Sequence, residues 1–167
     1  MILTLIPHFN DDDLITTEVN HDQIGKLFEI FRRDFIDDPF LVRGKNVKIN
    51  MQVPKVKEYE CYCETFYHII TRKYGRDRLY DCHRANRIHW IKPILTSQDT
   101  KNILRFKWKD EDNFCKDHFW CQPKQFMVVL KEISPEYLIV TSFCVDKSDE
   151  GMYYERYKSF KAGESQC

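Results

Sequence analysis

QFMVVLKEISPEYLIVTSFCV, residues 125–145, decides the fold. QFMVVLKEI (125–133) and YLIVTSFCV (137–145) are rich in β-branched and aromatic residues, and Ser134-Pro135-Glu136 between them reads as a tight hairpin turn. Upstream, NILRFKWK (102–109) and HFWCQ (118–122) have the same strand character. Four strands joined by short links imply antiparallel neighbours. Outside this block the spacing turns helical. Tyr153, Tyr157 and Phe160 recur through EGMYYERYKSFK (150–161). Ile24, Leu27, Phe28, Phe31 and Phe35 recur through residues 21–38, with Asn20 placed to cap the start. In residues 40–59, Val47, Ile49, Met51 and Val53 alternate with polar residues until Pro54, which predicts an extended segment. A helix is predicted over 60–74, ended by Gly75. RIHWIKPIL is predicted to be extended up to Pro93. The expectation is an α+β domain: leading helices packed on a four-stranded or larger antiparallel sheet, with a C-terminal helix.

Composition supports one compact domain. The 167 residues are 43% apolar and 14% aromatic, enough for a real core. Lys plus Arg number 26 and Asp plus Glu number 26, so no global field marks a nucleic-acid binder. The charge is uneven, however. Residues 72–92 carry Arg72, Lys73, Arg76, Arg78, Arg84, Arg87 and Lys92 against Asp77 and Asp81, a local anion site in a neutral chain. MILTLIPHFNDDD lacks a basic lead and is too short to span a bilayer, and no other window is apolar enough, so a cytoplasmic protein is expected. Seven cysteines without a secretory context predict free, mostly buried thiols. Five glycines leave no room for a phosphate-cradling loop, and neither GxSxG nor HExxH occurs.

Three pieces carry chemistry. On the predicted helix, Glu64, His68 and Arg72 fall on one face. An imidazole suits general acid–base work and a nearby carboxylate can orient it, although a solvated helix face has the same pattern. Arg84 and Arg87 stand three apart, and a strand beginning at Arg87 would set it beside His89. Guanidinium forks match phosphate oxygens, and surface charge is the plain alternative. Thr141 and Ser142 interrupt an apolar strand and must face opposite sides, Thr141 with Tyr137, Ile139 and Phe143. Zinc is the competing chemistry, built on Cys115, His118 and Cys121 with one of Cys61, Cys63 or Cys82. Against it, no Cys-x2-Cys pair exists, and a helical CYC points its sulfurs about 200° apart.

Taken in order, ETFYHIIT, CHRANRIHWIKPIL, HFWCQPKQFMVVLKE, YLIVTSFCVD and YYERYKSF resemble the phage-type branch of the barnase–EndoU–colicin–RelE-like (BECR) ribonuclease superfamily. The resemblance covers residues 61–160 and divides the chain into an extension over 1–60, packed on a ribonuclease core over 61–163. It implies an endoribonuclease toxin or effector, needing no metal or cofactor, that cleaves structured RNA such as tRNA to 2′,3′-cyclic phosphate and 5′-hydroxyl ends. A cognate antitoxin or immunity protein is the implied partner, and no membrane is involved. Carried over, His68 is the base or acid, oriented by Glu64. Arg84 and Arg87 bind the phosphate and stabilise its transition state, Thr141 or Ser142 is a positioning hydroxyl, and Tyr157 is a weaker candidate. Arg72, His89, Trp90 and Lys92 would contact RNA, and His83 or His89 would be the second histidine. Two other readings stand beside it: a non-catalytic RNA- or protein-binding module, and the zinc module. The neutral charge departs from the basic character of many toxin ribonucleases.

Overall fold

The structure, a computed structural model, describes residues 21–167. Helix α1 (His21–Arg32) widens into a π-turn over Arg33–Asp37. Strands β1 (Leu41–Val42) and β2 (Lys45–Lys48) follow, then α2 (Glu64–Ile70), β3 (Thr71–Tyr74) and β4 (Asp77–Tyr80). Next come α3 (Cys82–Ala85) and a tight turn over Ile88–Trp90 that runs into α4 (Ile91–Thr96). The chain finishes with β5 (Ile103–Lys109), β6 (Cys115–Cys121), β7 (Phe126–Ile133), β8 (Glu136–Cys144) and α5 (Glu150–Lys161). The expected Asn20 cap and the apolar run at 1–7 lie outside the described residues.

The four strands and the hairpin read from the sequence form one antiparallel block, β5-β6-β7-β8, with Ile133 opposite Glu136 across the turn. The sheet is larger and mixed. Its order is β1-β2-β8-β7-β6-β5, and β2 joins β8 in parallel through Val47↔Tyr137 and Lys48↔Leu138. Alternation of buried Val47 with exposed Lys48 predicts a strand but not its direction, which the long connection to β8 sets. One face packs under the first four helices, with Phe31, Phe66, Ile69, Ile88, Phe119 and Val128 in its core. The other face lies under α5, with Phe106, Trp120 and Met127 against Tyr153, Tyr157 and Phe160. Residues of α1, β1 and β2 bury Ile24, Leu27, Val42 and Val47 in the first core, so this part of the extension shares it.

Three sequence expectations need correction. The helix predicted over 60–74 stops at Ile70, and Thr71–Tyr80 is a β-hairpin around Gly75. Gly75 has φ +61°, which a helix C-cap and a two-residue hairpin turn both demand, so its presence alone does not choose between them. Second, RIHWIKPIL is helical rather than extended. Pro93 sits in the first turn of α4, where its missing N–H has no intrahelical partner to lose. Third, Cys115 and Cys167 form a disulfide, with Cα atoms 5.9 Å apart. That bond withdraws Cys115 from any zinc site. Strand alternation also turns His118, stacked on Phe106, away from Cys121 in the opposite core. Among the described residues no group of His, Cys, Asp and Glu is arranged to hold a metal, and no helix is long and apolar enough to cross a membrane.

Candidate active site

The site is built around an irregularity in β8. Val129 pairs with Thr141 but Leu130 pairs with Ile139, which leaves Val140 as an extra residue. A bulge of this kind flips the facing of everything beyond it. Tyr137 and Ile139 lie in the helix-covered core, whereas Thr141 and Phe143 fall on the α5 side with Val129 and Met127. The expectation that Thr141 shares a side with Tyr137 and Ile139 is therefore overturned, while its pairing with Phe143 stands. Ser142 points the other way, opposite Val128, and is fully buried. Only Thr141 of the two hydroxyls reaches open space.

That space is a cleft of about 660 Å³, and it gathers six residues proposed from the sequence: His68, Arg72, His83, Arg84, Arg87 and Thr141. β2 pairs with β8 only at Tyr137 and Leu138, so α2 can lie along the rest of that edge and bring His68 to the rim. His68 Nε2 is 3.4 Å from Glu64 Oε2. Burial holds the imidazole pKa below its usual value, and the Arg78 and Arg84 cations push the same way against Glu64. A neutral ring, able to accept a proton, is the form favoured near neutral pH.

The guanidinium groups are held by carbonyls and acids. Asp81 caps α3 by accepting from the Arg84 backbone N–H at 3.0 Å. Arg84 Nη1 donates to Thr71 O at 2.9 Å, its Nε lies 3.5 Å from Asp81 Oδ2, and its guanidinium lies 5.6 Å from the centre of the Phe143 ring. Arg87 donates to His83 O at 2.8 Å and lies over Trp90. Arg72, displaced from the predicted helix onto β3, reaches Asp146 at 3.4 Å.

Sequence reasoning missed Arg78, which ties the site together. Its Nε donates to Thr71 Oγ1 at 2.9 Å, and its Nη2 donates to Thr71 O at 2.9 Å and His68 O at 3.3 Å. Reading RKYGRDR as a hairpin would have found it, because β4 folds Arg78 back over β3. The Thr71 hydroxyl completes the tie by donating to Tyr67 O at 2.6 Å. Thr71→Val, which keeps the shape but removes both bonds, is expected to cost about 1–2 kcal/mol in chemical denaturation. An unchanged unfolding midpoint would show that this junction does not hold the hairpin to α2.

The remaining proposed residues lie elsewhere. Trp90 is buried against Phe126, and Tyr157 belongs to the core under α5. His89 and Lys92 line a separate hollow with Arg33 and Asp34, and Lys92 pairs with Asp38 at 2.5 Å. The cause is the helical course of residues 88–96, which removes the strand face that Arg87 and His89 were expected to share. Of the two spare histidines, only His83 lines the cleft, together with Lys124, Asp149 and Tyr153. No protein-family model matches the chain, and neither a curated protein nor a solved structure does.

Proposed function

We propose that this chain is a metal-independent endoribonuclease, with the cleft at His68 as its active site. One observation carries the reading: an imidazole held toward its neutral form, four guanidinium groups and a half-buried hydroxyl, drawn from α2, β3, β4, α3, β8 and the turn before α4, meet in one cleft. In-line cleavage of RNA needs a base, an acid, positioning and charge stabilisation. His68 accepts the proton of the ribose 2′-hydroxyl as its oxygen attacks phosphorus. Arg84 and Arg87 hold the non-bridging oxygens as charge grows on them, and Thr141 positions the phosphate by a hydrogen bond. The bond from phosphorus to the 5′-oxygen breaks, and His83, exposed at the cleft, supplies that oxygen's proton. The products are a 2′,3′-cyclic phosphate and a 5′-hydroxyl.

The resemblance to BECR toxins supports the same reaction and suggests structured cytoplasmic RNA, such as tRNA, as substrate. It also suggests a cognate antitoxin, whose acidic side chains would cover the arginines of the cleft. Incubation of the purified protein with total RNA in EDTA is expected to give discrete fragments bearing cyclic-phosphate ends. RNA that binds with steep salt dependence but keeps its ends intact would leave a binding module instead.

A further inference from the structure

The cleft does not end at His68. On the other side of that residue lies a second hollow of about 400 Å³, which shares His68 and Val140 with the first. Its floor is a row of side chains across three paired strands, Lys116, Lys131 and Leu138, and its wall is Asn50 with Glu64 and Thr65. The row is on the α5 side of the sheet, the side onto which the bulge turns Thr141. The floor therefore continues from Phe143 and Thr141 across Val140 to Leu138 and Lys131.

The chemistry of the second hollow is specific. Lys116 is engaged by Asp110 at 3.2 Å and Asp112 at 2.7 Å. Lys131 instead lies with its Nζ 3.3 Å from the centre of the Phe114 ring, and that residue is 52% exposed at the β5–β6 turn. A large apolar ring kept in water beside a cation offers a face for a nucleobase and a charge for its phosphate. Asn50 adds an amide able to donate and accept.

We propose that the two hollows are one groove with His68 at its midpoint, and that single-stranded RNA lies along it with a nucleotide on each side of the scissile phosphate, the second seated by Phe114, Lys131 and Asn50. This rests on the ribonuclease reading and deepens it. The two hollows give the substrate a length, at least a dinucleotide, and require the target segment to be unpaired, because a stacked duplex cannot give a base to Phe114.

The test is steady-state cleavage of a fluorogenic single-stranded oligoribonucleotide at several salt concentrations. Phe114→Ala is expected to raise KM about tenfold with kcat within about twofold, the size of one lost base stack, and Phe114→Trp to restore it. Lys131→Gln is expected to flatten the plot of log KM against log salt by about 0.7, one phosphate contact on a single strand. Unchanged KM in both variants, with wild-type cleavage intact, overturns the groove and leaves the ribonuclease standing. A fall in kcat alone also overturns it, since a binding subsite must act on KM. No cleavage by the wild type removes both readings together.

Discussion

His68→Ala is expected to slow RNA cleavage by about 10²–10⁴-fold, the usual contribution of one general acid–base group. Stability should change by no more than about 0.5 kcal/mol, because the His68 side chain is 41% exposed and its ring fills no core position. The pH profile separates base from acid. Burial, Arg78 and Arg84 all hold the imidazole pKa below its ordinary value, so the ring is already neutral at pH 7. A base in that state keeps working as pH falls, and activity is lost only below pH 6.5, on the acid limb of kcat/KM. If His68 acted as the acid, little of it would be charged at pH 7, and the rate would climb steeply as pH fell. Wild-type cleavage by His68→Ala, with ends and pattern unchanged, would falsify the assignment and leave Arg84 and Arg87 as mere binding groups.

The strands were readable because β5 to β8 are joined by short turns and lie next to each other in sequence order, so local pattern and tertiary pairing agree. β2 was readable as extended but not as the parallel neighbour of β8, since nothing local encodes a pairing across about 90 residues. Helix α4 was misread because Ile, Trp and Pro all argue against a helix in isolation. Burial of Ile88, Trp90, Ile91 and Ile94 against the sheet overrides that propensity. The same contrast runs through the site. His68 could be named only in company, because the helix pattern alone suits a solvated face and the downstream arginines and hydroxyl strand single it out, and Thr141 because a hydroxyl interrupts an apolar strand. Which way Thr141 faces could not be read, because the bulge at Val140 changes the count without changing the composition. Arg78 escaped notice because its role depends on a hairpin hidden inside a helix-like pattern. Phe114 carries no sequence signal of its own, and only its 52% exposure beside Lys131 sets it apart.

The second large effect concerns acid. His118 is 3% exposed, stacked on Phe106 at 4.8 Å with the rings 8° from parallel, and its Nδ1–H donates to Lys116 O at 3.1 Å. Burial pushes its pKa down to about 4. Asp110 and the Lys116 carbonyl oppose the shift, while Arg156 and Lys116 add to it. The sign follows from linkage: the folded state holds the ring neutral, whereas the unfolded chain protonates it near pH 6.5. Its contribution is therefore complete above pH 6.5 and is lost as pH falls toward 4, in total about 3 kcal/mol at roughly 1.4 kcal/mol per pKa unit. His68, also shifted down, acts in the same direction and window, so the measurement is made in a His68→Ala background. Carboxylates held low, such as Asp99, Asp112 and Glu132, lose their contributions at lower pH, and Asp117, pushed up by burial, works with the opposite sign. Urea unfolding at about pH 7 and pH 4.5 is expected to show a stability loss about 2–3 kcal/mol smaller in His118→Gln than in its parent. Equal losses in the two proteins would place the acid sensitivity elsewhere. The consequence reaches the groove, because Lys116, whose carbonyl holds His118 on one side of β6, also forms part of the floor beside Lys131. A charged His118 would disturb the strand that seats the second nucleotide, but the folded state keeps the ring neutral until about pH 4, so oligonucleotide KM is expected to hold steady while stability falls and to rise only near pH 4.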